Sequence, residues 1–136
     1  MQKYKILEHK ADLKIRAFGK TKEDLFRHCL EAMAESMKPE TQKPGEKTKR
    51  EIKIKSLDLF ALLVDFLSEV LYQTQVNKEL YNNIKFSKFT DMEIKGELIG
   101  QKVERFSEDI KAVTYHDLNI QQNPEGIWEA TVIFDI

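Results

Sequence analysis

The stretch Ala11-Asp12-Leu13-Lys14-Ile15-Arg16-Ala17-Phe18, closed by Gly19, decides how this chain can fold. Its odd-numbered residues are apolar, and most of its even-numbered residues are charged. This period of two is typical of a β-strand that buries one face and leaves the other in water. Thr21 can then cap a helix with apolar residues every four positions, which runs to about Met37 and ends before Pro39. The stretch therefore predicts a strand that is followed directly by an amphipathic helix.

A second helix is predicted between two groups of strands. Ser56 can cap this helix, which should run to about Gln75. Its apolar residues cover most of its circumference: Leu59, Phe60, Leu62, Leu63, Phe66, Leu67, Val70 and Leu71. Because a helix that is apolar nearly all round is buried, we expect it to lie against a sheet and beneath other structure.

Short strands are predicted before, between and after the two helices. They are expected at residues 3–7, 11–18, 50–55, 83–90, 92–99, 103–106, 110–122 and 128–136, with a hairpin turn near Asp91. Residues 38–47 hold two prolines and a glycine and are expected to form a loop. The sequence therefore predicts a single domain over residues 1–136. Its class is α+β, with two helices packed on a mostly antiparallel or mixed sheet.

Composition and charge argue against several kinds of protein. Hydrophobic residues make up 41% of the 136 residues, which is too large a share for intrinsic disorder. The net charge of −1 gives no excess of positive charge that would favour binding to nucleic acid through phosphate contacts. Cys29 is the only cysteine, so an internal disulfide and a cysteine-rich metal site are excluded. Gly96 and Gly100 stand alone, so the chain has no glycine-rich phosphate loop.

No segment has the pattern of a targeting or membrane-spanning sequence. The first ten residues are charged and lack the apolar core of a signal peptide. The most apolar stretch, Leu57–Tyr72, is interrupted by Asp58, Asp65 and Glu69. We therefore expect a cytoplasmic protein that does not associate with membranes.

Three carboxylates could meet where the last strand ends, depending on which strand pairs with it. Asp135 lies on the face of that strand opposite to its apolar residues, one residue before the α-carboxylate of Ile136. If this strand pairs near the start of the strand that carries Asp12, the three anions come together. They repel one another unless a cation lies between them, and Ca²⁺, Mg²⁺ or Mn²⁺ would suit such oxygen ligands. The alternative is that Asp12 and Asp135 are solvated acids at strand ends.

Three further positions hold polar or reactive side chains. The segment Thr114-Tyr115-His116-Asp117 could act as a proton relay, because histidine titrates near neutral pH. The alternative is a strand end at His116 with a turn at Asp117. His9 could be a fourth metal ligand or could orient a neighbouring ligand. Cys29 lies on the apolar face of the first helix and is expected to be packed and inert.

Several segments combine into a pattern that extends over essentially the whole chain. They are residues 9–19 (HKADLKIRAFG), the helix around Leu25-Phe26, the Leu57–Tyr72 helix, residues 110–116 (IKAVTYH) and residues 128–136 (WEATVIFDI). In order and spacing these segments resemble the archease family. The most specific part is Ala11-Asp12 together with the terminal Ile133-Phe134-Asp135-Ile136. The sequence departs from the family at Lys10, where many members have threonine, and at residues 105–107, where many have a histidine.

The resemblance implies a small α+β protein that assists the GTP-dependent RNA ligase of tRNA splicing and RNA repair, the RtcB type. Archeases promote transfer of GMP to the active-site histidine of that ligase and allow repeated turnover, and they are also described as possible chaperones. The family's metal site, carried onto this sequence, falls on Asp12, Asp135 and the terminal carboxylate of Ile136. Ca²⁺ is the expected ion, with Mn²⁺ or Mg²⁺ as alternatives. The protein would then be a non-catalytic activator that meets RNA only indirectly, through the ligase.

Two other functions stay open at the level of sequence. A stand-alone metal-dependent hydrolase could use His116 or His9 as its base, although the chain has no nucleophile elbow or dense histidine cluster. A general folding chaperone would need a large exposed apolar patch.

Overall fold

The computed structural model describes residues 1–8, 12–41 and 45–136, which form two helices and nine strands. The helices are Lys22–Ser36 (α1) and Leu59–Asn77 (α2). The strands are Tyr4–Glu8 (β1), Asp12–Gly19 (β2), Pro39–Glu40 (β3), Lys47–Lys55 (β4), Glu79–Phe89 (β5), Glu93–Lys102 (β6), Arg105–Phe106 (β7), Ala112–Gln122 (β8) and Trp128–Asp135 (β9). The predicted α+β class is confirmed.

Every strand pair among the described residues is antiparallel. The strands form a four-stranded sheet in the order β1-β2-β9-β8, a three-stranded sheet in the order β4-β6-β5, and a two-stranded sheet of β3 and β7. The strands are thus divided between two main sheets, where the sequence suggested one. β9 is the last strand in the chain, and it lies between β2 and β8. Residues from both ends of the chain therefore pair at the centre of the four-stranded sheet.

Both helices contact both main sheets, and the hydrophobic core lies between them. α1 packs on β2 and β5, and α2 packs on β8 and β5. Four phenylalanine rings join these elements. The ring centroid of Phe26 lies 5.7 Å from that of Phe66 and 5.0 Å from that of Phe89, and Phe66 lies 6.2 Å from Phe86. Tilted and edge-on pairs at these distances contribute about 0.5–1.5 kcal/mol each beyond burial, so the cluster fixes both helices against β5.

The start of α1 is as predicted. The Oγ1 atom of Thr21 accepts a hydrogen bond from the backbone N–H of Asp24 at 3.0 Å. This bond satisfies one of the N–H groups that a helix leaves unpaired at its first turn. The residues at spacing four, Leu25, Cys29 and Met33, are fully buried, which confirms the predicted apolar face.

The start of α2 differs from the prediction. Its cap is Asp58, whose carboxylate accepts from the backbone N–H of Ala61 at 2.8 Å, and not Ser56. The N–H of Ser56 donates to the carbonyl of Met92 at 2.9 Å, which extends the sheet by one residue beyond β4. The hydroxyl of Ser56 donates to Asp65. Because Ser56 is still held in the sheet, the helix can begin only two residues later.

One face of α2 is open to solvent, contrary to the expectation of burial nearly all round. Tyr72 and Val76 are exposed, whereas Leu63 and Leu67 on the opposite face are fully buried. By length and composition α2 could cross a membrane, and it is the one helix among the described residues that could. This is weak evidence, because the core helix of a soluble protein passes the same test and 44% of the helical window is buried in the fold.

Part of the segment that was predicted as a loop forms a short strand. Pro39 pairs with Phe106 and Glu40 with Arg105, which makes β3 and β7 a two-stranded sheet. The carboxylate of Glu40 accepts hydrogen bonds from Arg105 and from the hydroxyl of Ser107. Residues 42–44 lie outside the described residues.

A buried carboxylate ties β4 to β5. Glu79 is 0% exposed, and its two oxygens accept from Nε and Nη2 of Arg50 at 2.9 and 2.8 Å. The hydroxyl of Tyr81 donates to the same carboxylate at 2.6 Å. The hydrogen bond from Arg50 is the largest influence on the pKa of Glu79. Together with Tyr81 it lowers that pKa to about 2, although burial acts in the opposite direction.

Candidate metal-binding site

β2 and β9 place two of the predicted metal ligands opposite each other. Asp12 is the Cα partner of Asp135 in the antiparallel register of these strands. Directly opposed residues of an antiparallel pair project from the same face of the sheet, with Cβ atoms about 4.5–5.5 Å apart. The condition stated for the sequence, that the last strand pairs near the start of the Asp12 strand, is therefore met.

The buried face of the same strands holds the two aspartates in place. Leu13 and Phe134 are the next Cα partners along the ladder, and both are buried in the core. The side chain of Ile136 packs against the same core. On the other side of β9, the backbone N–H of Lys111 donates to the carbonyl of Asp135 at 2.8 Å. The end of β9 is thus fixed from both sides, which positions the Asp135 carboxylate.

The carboxylate cluster, defined here as Asp12, Asp135 and the α-carboxylate of Ile136, contains only hard oxygen anions. Asp12 is half-buried and Asp135 is exposed, and neither side-chain carboxylate has a hydrogen bond or ion pair with any described residue. Residues 1–8, 12–41 and 45–136 contain no group of three His, Cys, Asp or Glu side chains that could hold a metal ion. The third predicted anion, the α-carboxylate of Ile136, is not a side chain. This donor set fits Ca²⁺, Mn²⁺ or Mg²⁺, and the binding of such an ion stays a prediction.

The structure does not assemble the proton relay that was one possibility for residues 114–117. The pairing of β8 with β9 is interrupted between Thr114 and Asn119. Within this interruption Asp117 adopts a left-handed conformation with φ of 50°, and the His116 Nε2 atom lies 3.5 Å from its carboxylate. Both side chains are exposed to solvent. His116 therefore lies in a bulge inside β8, and the alternative of a strand end at this residue is wrong as well.

Tyr115 is directed towards the start of α2 rather than into a relay. Its pKa is raised mainly by burial and, to a lesser degree, by the negative charges of Asp65 and Asp58. Within the part of the chain that the structure describes, no hydrogen bond joins Tyr115 to His116. The three polar side chains of this segment thus do not act as one group.

The two remaining sequence candidates have different outcomes. His9, together with Lys10 and Ala11, lies outside the described residues, so a role for His9 beside the cluster stays a prediction. Cys29 is fully buried, and burial raises the pKa of its thiol to about 12. The prediction that Cys29 is packed is confirmed, and because the thiolate is the reactive form, its inertness stays a prediction.

A cavity of about 360 Å³ beside the C-terminal half of α2 was not predicted from the sequence. Its wall includes the buried residues Leu71 and Ile110. The Oγ1 atom of Thr74 is also buried at this wall, and no described residue forms a hydrogen bond with it. Ile110 lies two residues before Ala112, and Ala112 is the Cα partner of Asp135. This wall therefore leads towards the carboxylate cluster. A single threonine within an apolar helix gives no sequence signal for such a cavity.

Known proteins resemble this chain over its full length. The model of the archease protein family (MTH1598/TM1083) matches residues 4–136. A curated relative named protein archease from Methanosarcina barkeri is 36% identical, over 99% of this chain and 97% of the relative. Another protein archease, from Pyrococcus furiosus, is 30% identical over 100% of both chains.

Solved structures share the fold. The solution structure of Methanobacterium thermoautotrophicum protein 1598 superposes with a TM-score of 0.74 at 26% identity, over 100% of both chains. A crystal structure from Thermotoga maritima, titled as an archease and possible chaperone, has a TM-score of 0.66 over 97% of this chain and 96% of that one. At 18% identity this second likeness shows the fold alone. The family match from residue 4 to the last residue and the full-length relatives establish that this chain belongs to the archease protein family.

Proposed function

We propose that this protein is a non-catalytic activator of a GTP-dependent RNA ligase of the RtcB type, and that it acts through the carboxylate cluster. The observation that carries the proposal is the direct pairing of Asp12 with Asp135 in a chain of the archease family. The paired aspartates stand at the end of the four-stranded sheet, and Asp135 is exposed there, where a partner could contact it. In this proposal the ligase performs the chemistry on RNA, and both proteins are cytoplasmic.

The role of the chain's own residues is to present the carboxylates in a fixed position. Leu13 and Phe134 anchor the two strands in the core. The aspartates that adjoin them in the chain therefore have little freedom to separate. Two like charges held together in this way favour a cation between them. Asp12, Asp135 and the α-carboxylate of Ile136 would hold Ca²⁺, or alternatively Mn²⁺ or Mg²⁺. When bound, such an ion supplies positive charge that can neutralise phosphate groups.

The central experiment is guanylylation of a purified RtcB-type ligase with radiolabelled GTP, with and without this protein in substoichiometric amount. Wild-type protein is expected to increase the amount of labelled ligase, with each molecule of it acting on several ligase molecules in turn. Asp12→Asn and Asp135→Asn should each abolish the increase, because both remove an anion while keeping the size of the side chain. Glu129→Gln is a matched control, since Glu129 lies on the same face of β9 but at its other end, opposite Phe18. Equal activation by the wild type and both Asn variants would refute the proposal.

Metal binding is tested separately by calorimetric titration with Ca²⁺ and with Mn²⁺. Asp12→Asn and Asp135→Asn should each lose the binding that the wild type and Glu129→Gln retain. Circular dichroism of all variants should show an unchanged fold, because neither aspartate is part of the core. If both variants bind the ions as tightly as the wild type, the carboxylate cluster is not the metal site.

A chaperone-like role is a second candidate, and one surface feature favours it. Leu57, Phe60 and Met92 are 91%, 39% and 57% exposed, and the backbone bond from Ser56 to Met92 brings them to one side of the molecule. Exposed apolar side chains that lie together are suited to contact with other proteins. The test is suppression of aggregation of a heat-denatured client protein. Leu57→Ser combined with Met92→Ser should weaken the suppression, and no suppression by the wild type would exclude this role.

A further inference from the structure

The three-stranded sheet carries a concentration of positive charge that the net charge of the chain conceals. β4, β5 and β6 contain nine Lys or Arg residues and four Glu residues, a net charge of +5. The whole chain has a net charge of −1, so the rest of it carries −6. The net charge of the chain gives no indication of phosphate binding, but the fold shows that this charge is unevenly distributed.

Most of this positive charge lies on the solvent face of the sheet. Along β4 the buried residues Ile52 and Ile54 alternate with lysines, and Ile94 and Leu98 are buried in the same way on β6. The alternate positions of the three strands therefore face solvent, and seven of them are lysines. Apolar residues contribute little to this face, where Ile99 is half-buried.

The lysines are arranged in a row that the sheet itself does not favour. Lys95 of β6 is the Cα partner of Lys53 on one side and of Lys88 on the other. Like charges directly opposite each other destabilise a sheet. Lysine on an edge strand can protect against aggregation, which would account for Lys53 on the edge strand β4. Lys95 lies on the central strand, where there is no edge to protect, so the row needs another explanation.

Two lysines of this row and one lysine beside it form no ion pair among the residues that the structure describes. Lys53, Lys85 and Lys95 form no ion pair within 4.0 Å there, in contrast to Lys88, which pairs with Glu93. All three border a shallow depression of about 660 Å³ on the solvent face. Glu51 and Glu97 also border it, but they oppose each other one row away from Lys53 and Lys95, and Lys85 is the Cα partner of Glu97 in that second row. An extended anion could therefore follow the lysine row and avoid the row of glutamates.

We propose that this lysine face, defined as Lys53, Lys85, Lys88 and Lys95, binds RNA through its phosphates and without reading its bases. Protein–protein interfaces are built around an apolar core and are depleted in lysine, whereas phosphate contacts need closely spaced cations and little apolar surface. The lysine face has closely spaced cations and little apolar surface, as phosphate contacts require. The proposal concerns direct contact by this protein alone, so it goes beyond the activation of a ligase and does not depend on it.

Fluorescence anisotropy with a labelled oligouridine tests the proposal at salt concentrations from about 50 to 200 mM. Wild-type protein is expected to bind, with an affinity that falls steeply as salt rises. The variant Lys53→Gln/Lys85→Gln/Lys95→Gln should bind at least about tenfold more weakly and should lower the salt slope by about 2, because each phosphate contact on a single strand contributes roughly 0.7. A matched control, Lys3→Gln/Lys5→Gln/Lys20→Gln, removes the same charge at exposed sites outside the three-stranded sheet and should leave the slope unchanged.

Several outcomes would overturn the proposal. The first is that the wild type does not bind oligouridine at about 50 mM salt. The second is that the two triple variants lose equal amounts of affinity for oligouridine. The third is that the wild type binds polyglutamate in place of RNA. The last result would assign the face to an acidic protein. Guanylylation of the ligase in the absence of RNA separates this proposal from the activator function, because the lysine-face variant should activate as the wild type does. Loss of that activation would assign the face to the ligase instead of RNA.

Discussion

Replacing Arg50 with methionine should strongly destabilise the protein, because it leaves Glu79 buried without its main partner. Glu79 is 0% exposed, and its pKa is lowered from 4.5 to about 2, with Arg50 as the largest cause. A shift of this size corresponds to about 3 kcal/mol in favour of the ionised carboxylate. Breaking a buried ion pair costs about 3–5 kcal/mol in other proteins. Since the Arg50 side chain is 42% exposed, we expect the lower end, a loss of about 3 kcal/mol in the free energy of unfolding.

The measurement is urea unfolding followed by the fluorescence of Trp128, which is the only tryptophan. Arg105→Met is the matched control, because Arg105 forms an ion pair with Glu40 in which the side chains are 78% and 46% exposed. An exposed pair contributes about 0–1 kcal/mol, so the control should change little. In thermal unfolding, Arg50→Met should melt roughly 10 °C below the wild type. If Arg50→Met loses no more stability than Arg105→Met, the reasoning about burial is wrong.

The acid dependence of stability gives an independent test of the same pair. Because the pKa of Glu79 is lower in the folded state, its stabilisation is fully present above its unfolded value of 4.5. That stabilisation is lost as the pH falls from about 5 towards the folded pKa of about 2. Wild-type protein should therefore lose stability over this range, and Arg50→Met should show a shallower dependence. Identical slopes in the two proteins would show that Arg50 does not hold the pKa of Glu79 down.

Three further predictions concern the sites. Adding one residue after Ile136 moves the terminal carboxylate by about 3.3 Å, so metal binding and ligase activation should be lost, whereas an N-terminal extension should preserve both. Equal activity of the two extended proteins would exclude the terminal carboxylate as a ligand. Cys29 should react with a thiol reagent only in denaturant, because it is fully buried and its pKa is raised to about 12; rapid labelling of the folded protein would contradict this. The protein alone should hydrolyse neither RNA nor GTP, and a hydrolysis that is lost in Asp12→Ala would favour the hydrolase alternative.

The features that local sequence determines were predictable. Thr21 caps α1 because the cap and its partner, Asp24, are three residues apart. Alternation along β9 placed Asp135 on the face opposite to Phe134, and the structure confirms that arrangement. The sequence could predict only that Asp135 meets Asp12 if their two strands pair. Whether two distant strands pair is not encoded in either strand alone.

The features that the sequence did not reveal depend on distant contacts. Ser56 could cap a helix as well as Asp58 can, and its bond to Met92 on another strand decides between them. The short strand at Pro39 exists only because residues 105–106 pair with it. The lysine face was also not predicted, because distant contacts assemble it from three strands. The net charge of the whole chain averages out the charges of these strands.

The central position of β9 has a consequence for the order of events in folding. β9 follows the other described strands in the sequence and is synthesised after them, and until it inserts, β2 and β8 each present an unpaired edge. Pairings between residues far apart in sequence form slowly, and Asp12 with Asp135 is among the longest that this chain contains. The two aspartates therefore come together at a late step. A chain without residues 128–135 lacks both Asp135 and the strand with which β8 pairs, so the carboxylate pair is present only in molecules in which β9 has inserted.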